Sequence, residues 1–379
     1  MLSASGNRGQ TKARVWDVPV RVSHWLLVAC VVAAWLTRDA RLADLHAAAG
    51  WCALFLVAFR VVWGFAGTAH ARFANFAYGP RAAMRYVGDS LKGSPRHYTG
   101  HNPAGSWSVY LLLAGIVVVC VTGAVAIGAM FGIGPVHLRL PPAAADALRE
   151  AHEWLAWALL AVIAVHVAGA VGSSVLHREN LVGAMLTGRK RVHEGEPVDA
   201  PARRGVAVSL AIAAVGVAAL YLMSSGWPSG YAEARARASA AKPSPTRWTK
   251  ECGGCHLAYS PAFLPRRSWE RMLREQDQHF GEDLSLSPAA AKALLDEANA
   301  PQSPSWAGWK LAASAQPADA PQRITELGFW RHAHRDLPAA SFKSPVSSGR
   351  HDCESCHLDA ASGIFQPRMI QKPVRVSIL

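Results

Sequence analysis

The chain has 379 residues, of which 51% are hydrophobic and only 17% are charged. A soluble globular protein usually carries about 25% charged residues, so this composition excludes a chain that lies entirely in water. Lys and Arg outnumber Asp and Glu by 39 to 26, but the basic residues form no single basic block. In the first half of the chain most of them lie in loops between apolar segments. This pattern is typical of a membrane protein and argues against nucleic acid as a partner.

Five apolar segments are long enough to cross a lipid bilayer as helices, which takes about 20 residues each. They cover residues 18–37, 46–66, 107–129, 151–174 and 205–224. We therefore predict an all-α protein whose residues 1–225 form a transmembrane bundle of five helices.

The basic residues also predict the orientation of the bundle. Residues 1–22 and the loops 67–106 and 175–204 carry most of the Lys and Arg of this half, whereas the loops on the opposite side carry few. The positive-inside rule then places the N-terminus in the cytoplasm and the end of the fifth helix outside. The apolar run after the basic N-terminus lacks a small-residue cleavage site, so no cleavable signal peptide is expected. We expect a multi-pass protein of a bacterial inner membrane with a periplasmic C-terminal domain.

The composition changes after the fifth helix. Residues 226–245 are rich in Ala, Ser, Pro and Arg, and we predict a linker there. Residues 246–379 are predicted to form a mostly α, loop-rich domain. Amphipathic helices are expected at 268–278 and at 287–299, where a Ser-Pro pair supplies a cap and a first-turn proline.

Two Cys-x-x-Cys-His units occur in this C-terminal domain. They consist of Cys252, Cys255 and His256, and of Cys353, Cys356 and His357. In such a unit two thioethers hold a porphyrin and the His is the proximal iron ligand, so the units predict two covalent c haems. A zinc or redox Cys-x-x-Cys pair is the alternative, and the His in both copies argues against it. This type of haem attachment occurs outside the cytoplasmic membrane, in agreement with the orientation from charge.

Each c haem needs a sixth ligand or has an open site. The candidates are His279, His332, His334, His351, Met272 and Met369. His279 follows a predicted helix directly, and His351 is interpreted as a solvated side chain. Two histidines per haem would keep both irons six-coordinate and suit electron transfer instead of oxygen chemistry.

Four histidines of the membrane half lie in or at the ends of the apolar segments, where ionisable residues are usually functional. They are His24, His46, His152 and His166. His152 and His166 share one helix face, because 14 residues turn a helix by nearly four full turns and rise about 21 Å. Histidines at the same depth in the membrane should form pairs. His24 then pairs with His166 on the inner side, and His46 pairs with His152 on the outer side. The pattern predicts two non-covalent b haems, each held by two imidazoles from different helices.

Two further features lie near the predicted inner haem. Arg60 follows His46 by fourteen residues, so it faces the same bundle interior. A haem propionate would be a suitable partner for its charge, and snorkelling to the cytoplasmic surface is the alternative. The run His101-Asn102-Pro103 either caps the third span, which we favour, or borders a quinone site.

Two families resemble this sequence. Residues 16–175 resemble the bacterial cytochrome b-561 family, which is similar to the b-type membrane subunits of nickel-iron hydrogenase and formate dehydrogenase. The resemblance lies in Val18-Pro19-Val20-Arg21-Val22-Ser23-His24-Trp25, Phe59-Arg60-Val61-Val62-Trp63-Gly64, Gly100-His101-Asn102-Pro103 and the His152/His166 pair. It implies a dihaem bundle that exchanges electrons with the quinone pool.

Residues 246–370 resemble the periplasmic dihaem cytochrome c family. The resemblance lies in Cys252-Gly253-Gly254-Cys255-His256, Tyr259, Leu264-Pro265, Ser268-Trp269, His279-Phe280-Gly281, Arg323-Ile324-Thr325 and Cys353 to His357. It implies His279 and His334 as the remaining haem ligands, although His332 leaves the second assignment open. It also implies a small haem protein as the soluble acceptor.

The sequence therefore predicts a respiratory electron conduit. Quinol would reduce two b haems, which reduce two c haems, which reduce a soluble periplasmic acceptor. Whether the protein counts as a quinol:cytochrome c-type oxidoreductase is left open. The alternatives are reverse flow from a periplasmic donor to quinone, a membrane-anchored haem sensor or docking module, and a terminal enzyme that acts at an open c-haem iron.

Overall fold

The structure is a computed structural model. It describes residues 10–38, 42–136, 138–193, 203–224, 246–302, 304–315 and 320–371. The predicted linker at 226–245 lies outside these residues. The chain divides into two compact units, one formed by Met1–Ala124 and Arg149–Ser224 and the other by Val125–Leu148 and Ser225–Leu379.

Five helices are long and apolar enough to cross a membrane. They are α1 (Val18–Leu36), α2 (Ala43–Ala66), α4 (Pro103–Phe131), α5 (Pro142–Leu176) and α7 (Arg204–Ser224). The predicted five-helix membrane fold is thus confirmed. The third and fourth spans are longer than the apolar runs because proline starts each helix ahead of the apolar residues, as is common at the first helical position.

A buried carboxylate joins the start of α1 to the end of α2. Asp17 accepts a hydrogen bond of 2.8 Å from the backbone N–H of Val20, which caps α1. Its second oxygen accepts hydrogen bonds from Trp63 Nε1 at 2.9 Å and Thr68 Oγ1 at 3.0 Å. Because Asp17 is only 1% exposed, these bonds supply the partners that a buried charge requires.

The first unit also has short elements outside its spans. Strands β1 (Gln10–Arg14) and β2 (Arg189–His193) pair antiparallel, and two short helices, α3 (Pro80–Leu91) and α6 (Leu181–Thr187), lie between the spans. Lys190 on β2 is 7% exposed, and its Nζ lies 3.2 Å from Glu179 Oε2.

Among the residues that the structure describes, the second unit contains five short helices and several 3-10 turns. The helices are α8 (Arg247–Cys252), α9 (Arg266–Arg274), α10 (Pro288–Asn299), α11 (Trp306–Ala313) and α12 (Gly328–Ala333). Both predicted amphipathic helices are present. The first ends at Arg274, where the chain continues into a 3-10 turn at Gln276–Gln278, and the second is capped by Ser287 as predicted.

Residues 125–148, which connect α4 to α5, belong to this second unit. Asp146 is 6% exposed and lies 2.5 Å from Lys310 Nζ. It also accepts a hydrogen bond of 3.2 Å from Trp306 Nε1. The indole of Trp306 packs edge to face on Phe131, with ring centroids 5.6 Å apart. The connection is therefore tied to α11 by charge and by aromatic packing.

Candidate haem-binding sites

His46 on α2 and His152 on α5 face each other, with ring centroids 6.0 Å apart and ring planes at 80°. Two imidazoles on opposite sides of one iron have ring centres about 6 Å apart. This follows because each metal–nitrogen bond is about 2 Å and each ring centre lies about 1 Å behind its nitrogen. The pair predicted for the outer b haem therefore has the separation that one iron requires.

Backbone carbonyls hold both of these rings. Nδ1 of His46 lies 2.8 Å from the carbonyl oxygen of Ala34, and Nδ1 of His152 lies 2.9 Å from that of Val119. A carbonyl only accepts, so each Nδ1 carries the proton. Each Nε2 is then left with a free lone pair for a metal, the usual second contact of a metal-bound histidine.

Gly123 on α4 allows the close approach of the His152 ring. A Cβ at this position would lie 2.7 Å from His152 Cε1 and 2.9 Å from its Nδ1. Those distances are well inside ordinary carbon contacts of about 3.5–4.0 Å. No side chain larger than hydrogen fits there without displacement of the predicted ligand.

The predicted inner pair is His24 on α1 and His166 on α5. Nδ1 of His166 lies 3.0 Å from Ser108 Oγ on α4. Nδ1 of His24 is buried and has no hydrogen-bond partner among the residues that the structure describes. A buried nitrogen without a protein partner is rare and fits a site that takes a further group.

Arg60 is 7% exposed, although arginine is costly at this depth. Its Nη1 donates a 3.2 Å hydrogen bond to the carbonyl oxygen of Ala71, just after α2. Its guanidinium lies 5.0 Å from the centre of the Phe73 ring. The charge is thus directed toward the connection after α2 while it stays buried. A propionate contact for Arg60 stays a prediction.

His101 and Asn102 have different roles at the start of α4. Asn102 Oδ1 accepts a hydrogen bond of 2.7 Å from Gly105 N–H, so the favoured helix cap is present. The ring of His101 lies 4.7 Å from that of Trp16 and 4.2 Å from that of Phe76. Its Nδ1 is buried without a partner in the described part of the chain. Burial first, and the charge of Arg60 second, lower the pKa of His101 to about 3.

A chain of polar side chains continues outward from Asn102. Its Nδ2 donates to the hydroxyl of Tyr86 at 3.1 Å, and that hydroxyl lies 3.4 Å from His177 Nε2. Because Asn102 is the donor to Tyr86, the hydroxyl proton is free to point at His177. No sequence pattern indicates this chain, since its members come from three separate segments.

The first predicted c-haem pair is His256 and His279, with ring centroids 6.2 Å apart and planes within 27°. Nδ1 of His256 lies 2.7 Å from the carbonyl oxygen of Leu257. Nδ1 of His279 is buried without a partner among the described residues. Burial and the nearby His256 lower the pKa of His279, so it is neutral at pH 7, the state in which imidazole binds a metal.

The second pair is His334 and His357, with ring centroids 6.1 Å apart. Nδ1 of His334 lies 2.8 Å from the carbonyl oxygen of Trp330, and its ring stacks on that indole at 4.3 Å. Burial and the nearby His334 lower the pKa of His357 to about 4. His332 is exposed and lies 2.9 Å from Arg335 Nη1, so the geometry favours His334.

Cys252 and Cys353, the first cysteine of each unit, are partly buried. Cys255 is exposed and Cys356 is partly buried. In both units the histidine that follows the second cysteine belongs to a ring pair with a separation of about 6 Å, so these residues fit a covalently attached haem.

The five membrane helices and the paired histidines define a multi-pass membrane cytochrome. Residues 15–188 match the family model described as prokaryotic cytochrome b561, and residues 248–365 match the one described as dihaem cytochrome c. The chain thus joins a region that matches the cytochrome b561 family model to a region that matches the dihaem cytochrome c family model. These families imply haem b and haem c as cofactors and a role in membrane electron transfer.

Curated relatives match the first half of the chain. A probable Ni/Fe-hydrogenase B-type cytochrome subunit of Bradyrhizobium diazoefficiens is 23% identical over 228 residues, which cover 50% of this chain and 92% of the relative. The subunit of the same description from Azotobacter vinelandii is 26% identical and covers 50% of this chain and 93% of the relative. Among solved structures, a diheme cytochrome c from Rhodobacter sphaeroides is 30% identical, with a TM-score of 0.28, and covers 31% of this chain and 94% of that chain.

Proposed function

We propose that the protein conducts electrons from membrane quinol through two b haems to two c haems and on to a soluble acceptor outside the cytoplasm. The observation that supports this most directly is the set of three histidine ring pairs with centroids 6.0 to 6.2 Å apart. Bound haem supplies an iron that takes up and releases one electron at a time. Two histidines per iron suit electron transfer, because they leave no coordination position for oxygen chemistry.

Imidazole ligands that are held in a fixed orientation suit electron transfer. Four of the predicted ligands, His46, His152, His256 and His334, have Nδ1 within hydrogen-bond distance of a backbone carbonyl. Such contacts set the orientation of an imidazole and raise its basicity. A ligand that is held in advance changes little between oxidation states, so these contacts keep the cost of each electron transfer small.

The start of α4 offers a position for the quinol headgroup. Oxidation of a quinol releases two electrons and two protons and leaves a quinone. His101 is neutral at pH 7, because burial and the charge of Arg60 lower its pKa to about 3. Its buried Nδ1 has no partner in the described segments and would hydrogen-bond to a quinol hydroxyl. Tyr86 and His177 would then pass the protons on toward the surface.

The proposed orientation of the protein in the membrane is based on the distribution of Lys and Arg. The N-terminal residues and the loops that carry α3 and β2 are rich in Lys and Arg, which favours the cytoplasm for this side. The unit with the two Cys-x-x-Cys-His segments then lies in the periplasm of a bacterium, where a soluble haem protein would take the electrons. Flow in the reverse direction, from a periplasmic donor to quinone, would use the same residues.

Anaerobic visible spectroscopy of the purified full chain tests the proposal. A reduced quinol analogue is added, the b and c bands are followed separately, and dithionite gives the fully reduced reference. We expect both bands to rise, the b band first. If quinol reduces neither band while dithionite reduces all haems, quinol oxidation is refuted.

Two variants refine this test. His101→Leu should slow reduction of the b band by quinol, whereas dithionite should still reduce every haem. Lys292→Leu, at an exposed side chain of the second unit, is the control and should leave the rate unchanged. An unchanged rate in the His101 variant would exclude this position for the quinol.

A further inference from the structure

A cavity of about 510 Å³ in the second unit is lined mainly by cationic side chains. Its lining residues are Arg323, Thr325, Glu326, Arg331, Arg350 and His351. No sequence motif assigns a role to any of these arginines, and His351 was interpreted as a solvated side chain. The haem ligands and cysteines account for none of the lining residues.

One aromatic ring connects each of two arginines to a predicted distal haem ligand. The guanidinium of Arg323 lies 4.1 Å from the centre of the Phe280 ring, and that ring lies 4.8 Å from His279. Phe280 has a φ of +55°, a region that residues with bulky side chains rarely adopt. Phe280 is 47% exposed, so one face of its ring is open to solvent beside the arginine.

The second connection is equivalent. The guanidinium of Arg350 lies 5.8 Å from the centre of the Trp330 ring, which stacks on His334 at 4.3 Å. One aromatic ring thus lies between each of these two arginines of the cavity and the distal ligand of a predicted c haem.

The charge in the cavity is unbalanced. Three guanidinium groups share the lining with a single carboxylate, Glu326, whose Oε1 lies 3.6 Å from Arg323 Nε. Guanidinium groups bind carboxylates through paired parallel hydrogen bonds. Each haem carries two propionate carboxylates at one edge of its porphyrin. The cavity therefore offers the complement to the anionic edges of two porphyrins.

We propose that Arg323 and Arg350 bind haem propionates, Arg323 for the haem of His279 and Arg350 for the haem of His334, and that they raise the reduction potentials of these haems. The inference rests on the c haems of the proposed function but not on the direction of electron flow. A positive charge that neutralises a propionate disfavours the oxidised iron, which carries one more positive charge than the reduced iron. Loss of the arginine leaves the propionate uncompensated and lowers the potential.

Potentiometric titration of the c bands in the full-length protein tests the proposal. Arg323→Gln should lower the midpoint potential of one c haem and Arg350→Gln that of the other. Both shifts should shrink as the ionic strength rises, because both arginines have exposed side chains and salt screens exposed charges. Arg266→Gln is the matched control. It removes the same charge from an exposed pair with Glu270 on α9 and should leave both potentials unchanged.

Unchanged midpoint potentials in both cavity variants would overturn the proposal. The alternative source of carboxylates is an acidic soluble partner. In that case the variants would keep their midpoint potentials. Their oxidation by ferricyanide, which is an anion, would be slower, whereas their oxidation by a cationic cobalt complex would not be slower. If a Gln variant fails to retain haem, Arg350→Lys keeps the charge and should show a potential close to that of the unaltered protein. If the midpoint potential of Arg350→Lys falls as far as that expected for Arg350→Gln, a role of the charge is refuted.

Reduction of the b band by quinol should be unaffected in every variant. A negative result for the arginines can therefore be told apart from a negative result for the proposed electron transfer.

Discussion

The substitution Gly123→Ala is predicted to break the histidine pair of the outer b haem. The new methyl group would lie 2.7 Å from His152 Cε1 and 2.9 Å from its Nδ1. Ordinary contact requires about 3.5–4.0 Å, so the ring must retreat by roughly 1 Å. Neither the rigid backbone of α4 nor the imidazole ring can bend to absorb this displacement.

The displacement acts on two contacts. The hydrogen bond from His152 Nδ1 to the carbonyl of Val119, now 2.9 Å, would exceed normal hydrogen-bond length and lose about 1 kcal/mol. The separation of 6.0 Å from His46 would change by far more than the ~0.2 Å that metal–ligand distances tolerate. We therefore expect one b haem to become five-coordinate while the other is unchanged.

Carbon monoxide difference spectra of the dithionite-reduced protein provide the assay. The unaltered protein should bind no carbon monoxide at its b haems, and Gly123→Ala should bind it at one of them. Gly169→Ala on α5 is the control, because Gly169 is exposed and an added Cβ there meets no atom within 4 Å. If Gly123→Ala keeps both b haems six-coordinate, His152 is not held as the structure indicates and the assignment of the outer pair fails.

Three further predictions concern other parts of the chain. His334→Ala should open one c haem to carbon monoxide and His332→Ala should not, because only His334 lies opposite His357; the reverse result in the same spectra would reassign the ligand. Lys190→Met should destabilise the first unit by about 3 kcal/mol, since it removes the cation that lies 3.2 Å from the largely buried Glu179 and leaves His97 Nε2, at 2.8 Å, as the other partner of that carboxylate. The double variant with Glu179→Gln should recover part of this loss in thermal unfolding. For Asp352, burial raises the pKa, but hydrogen bonds from two nearby serines outweigh burial and lower it to about 2. A carboxyl with a lowered pKa stabilises the fold above its unfolded pKa of about 4 and stops doing so as the pH falls through its folded value. Asp352→Ala should thus be less stable at pH 7 by about 1 kcal/mol, and the difference in denaturant titrations should shrink between pH 4 and pH 2; a constant difference would contradict the lowered pKa.

Local patterns predicted much of this architecture. The five spans and the cap of α10 at Ser287 follow from hydropathy and from propensities within a few residues. The 14-residue spacing of His152 and His166 was enough to place them on one face, because both lie on a single continuous helix of 35 residues. The assignment of the histidines as haem ligands stays a prediction, which the spectra described above would test.

The missed features depend on distant neighbours. The need for glycine at position 123 arises from a histidine on another helix, and nothing near Gly123 in the sequence indicates it. The orphaned Nδ1 of His101 is visible only after Trp16 and Phe76 have closed around the ring. The end of the first amphipathic helix at Arg274 was also missed, because the amphipathic pattern continues through the 3-10 turn that follows.

The contact of Asp146 with Lys310 joins residues 164 positions apart in the sequence and has a consequence for dissection of the protein. The cytochrome b561 match covers residues 15–188, so Asp146 lies within it by sequence while its contacts belong to the second unit. A soluble fragment that starts after the fifth helix would lack this carboxylate and would expose Trp306 and Lys310 to solvent. The boundary between the two family matches in the sequence thus differs from the boundary between the two compact units of the fold.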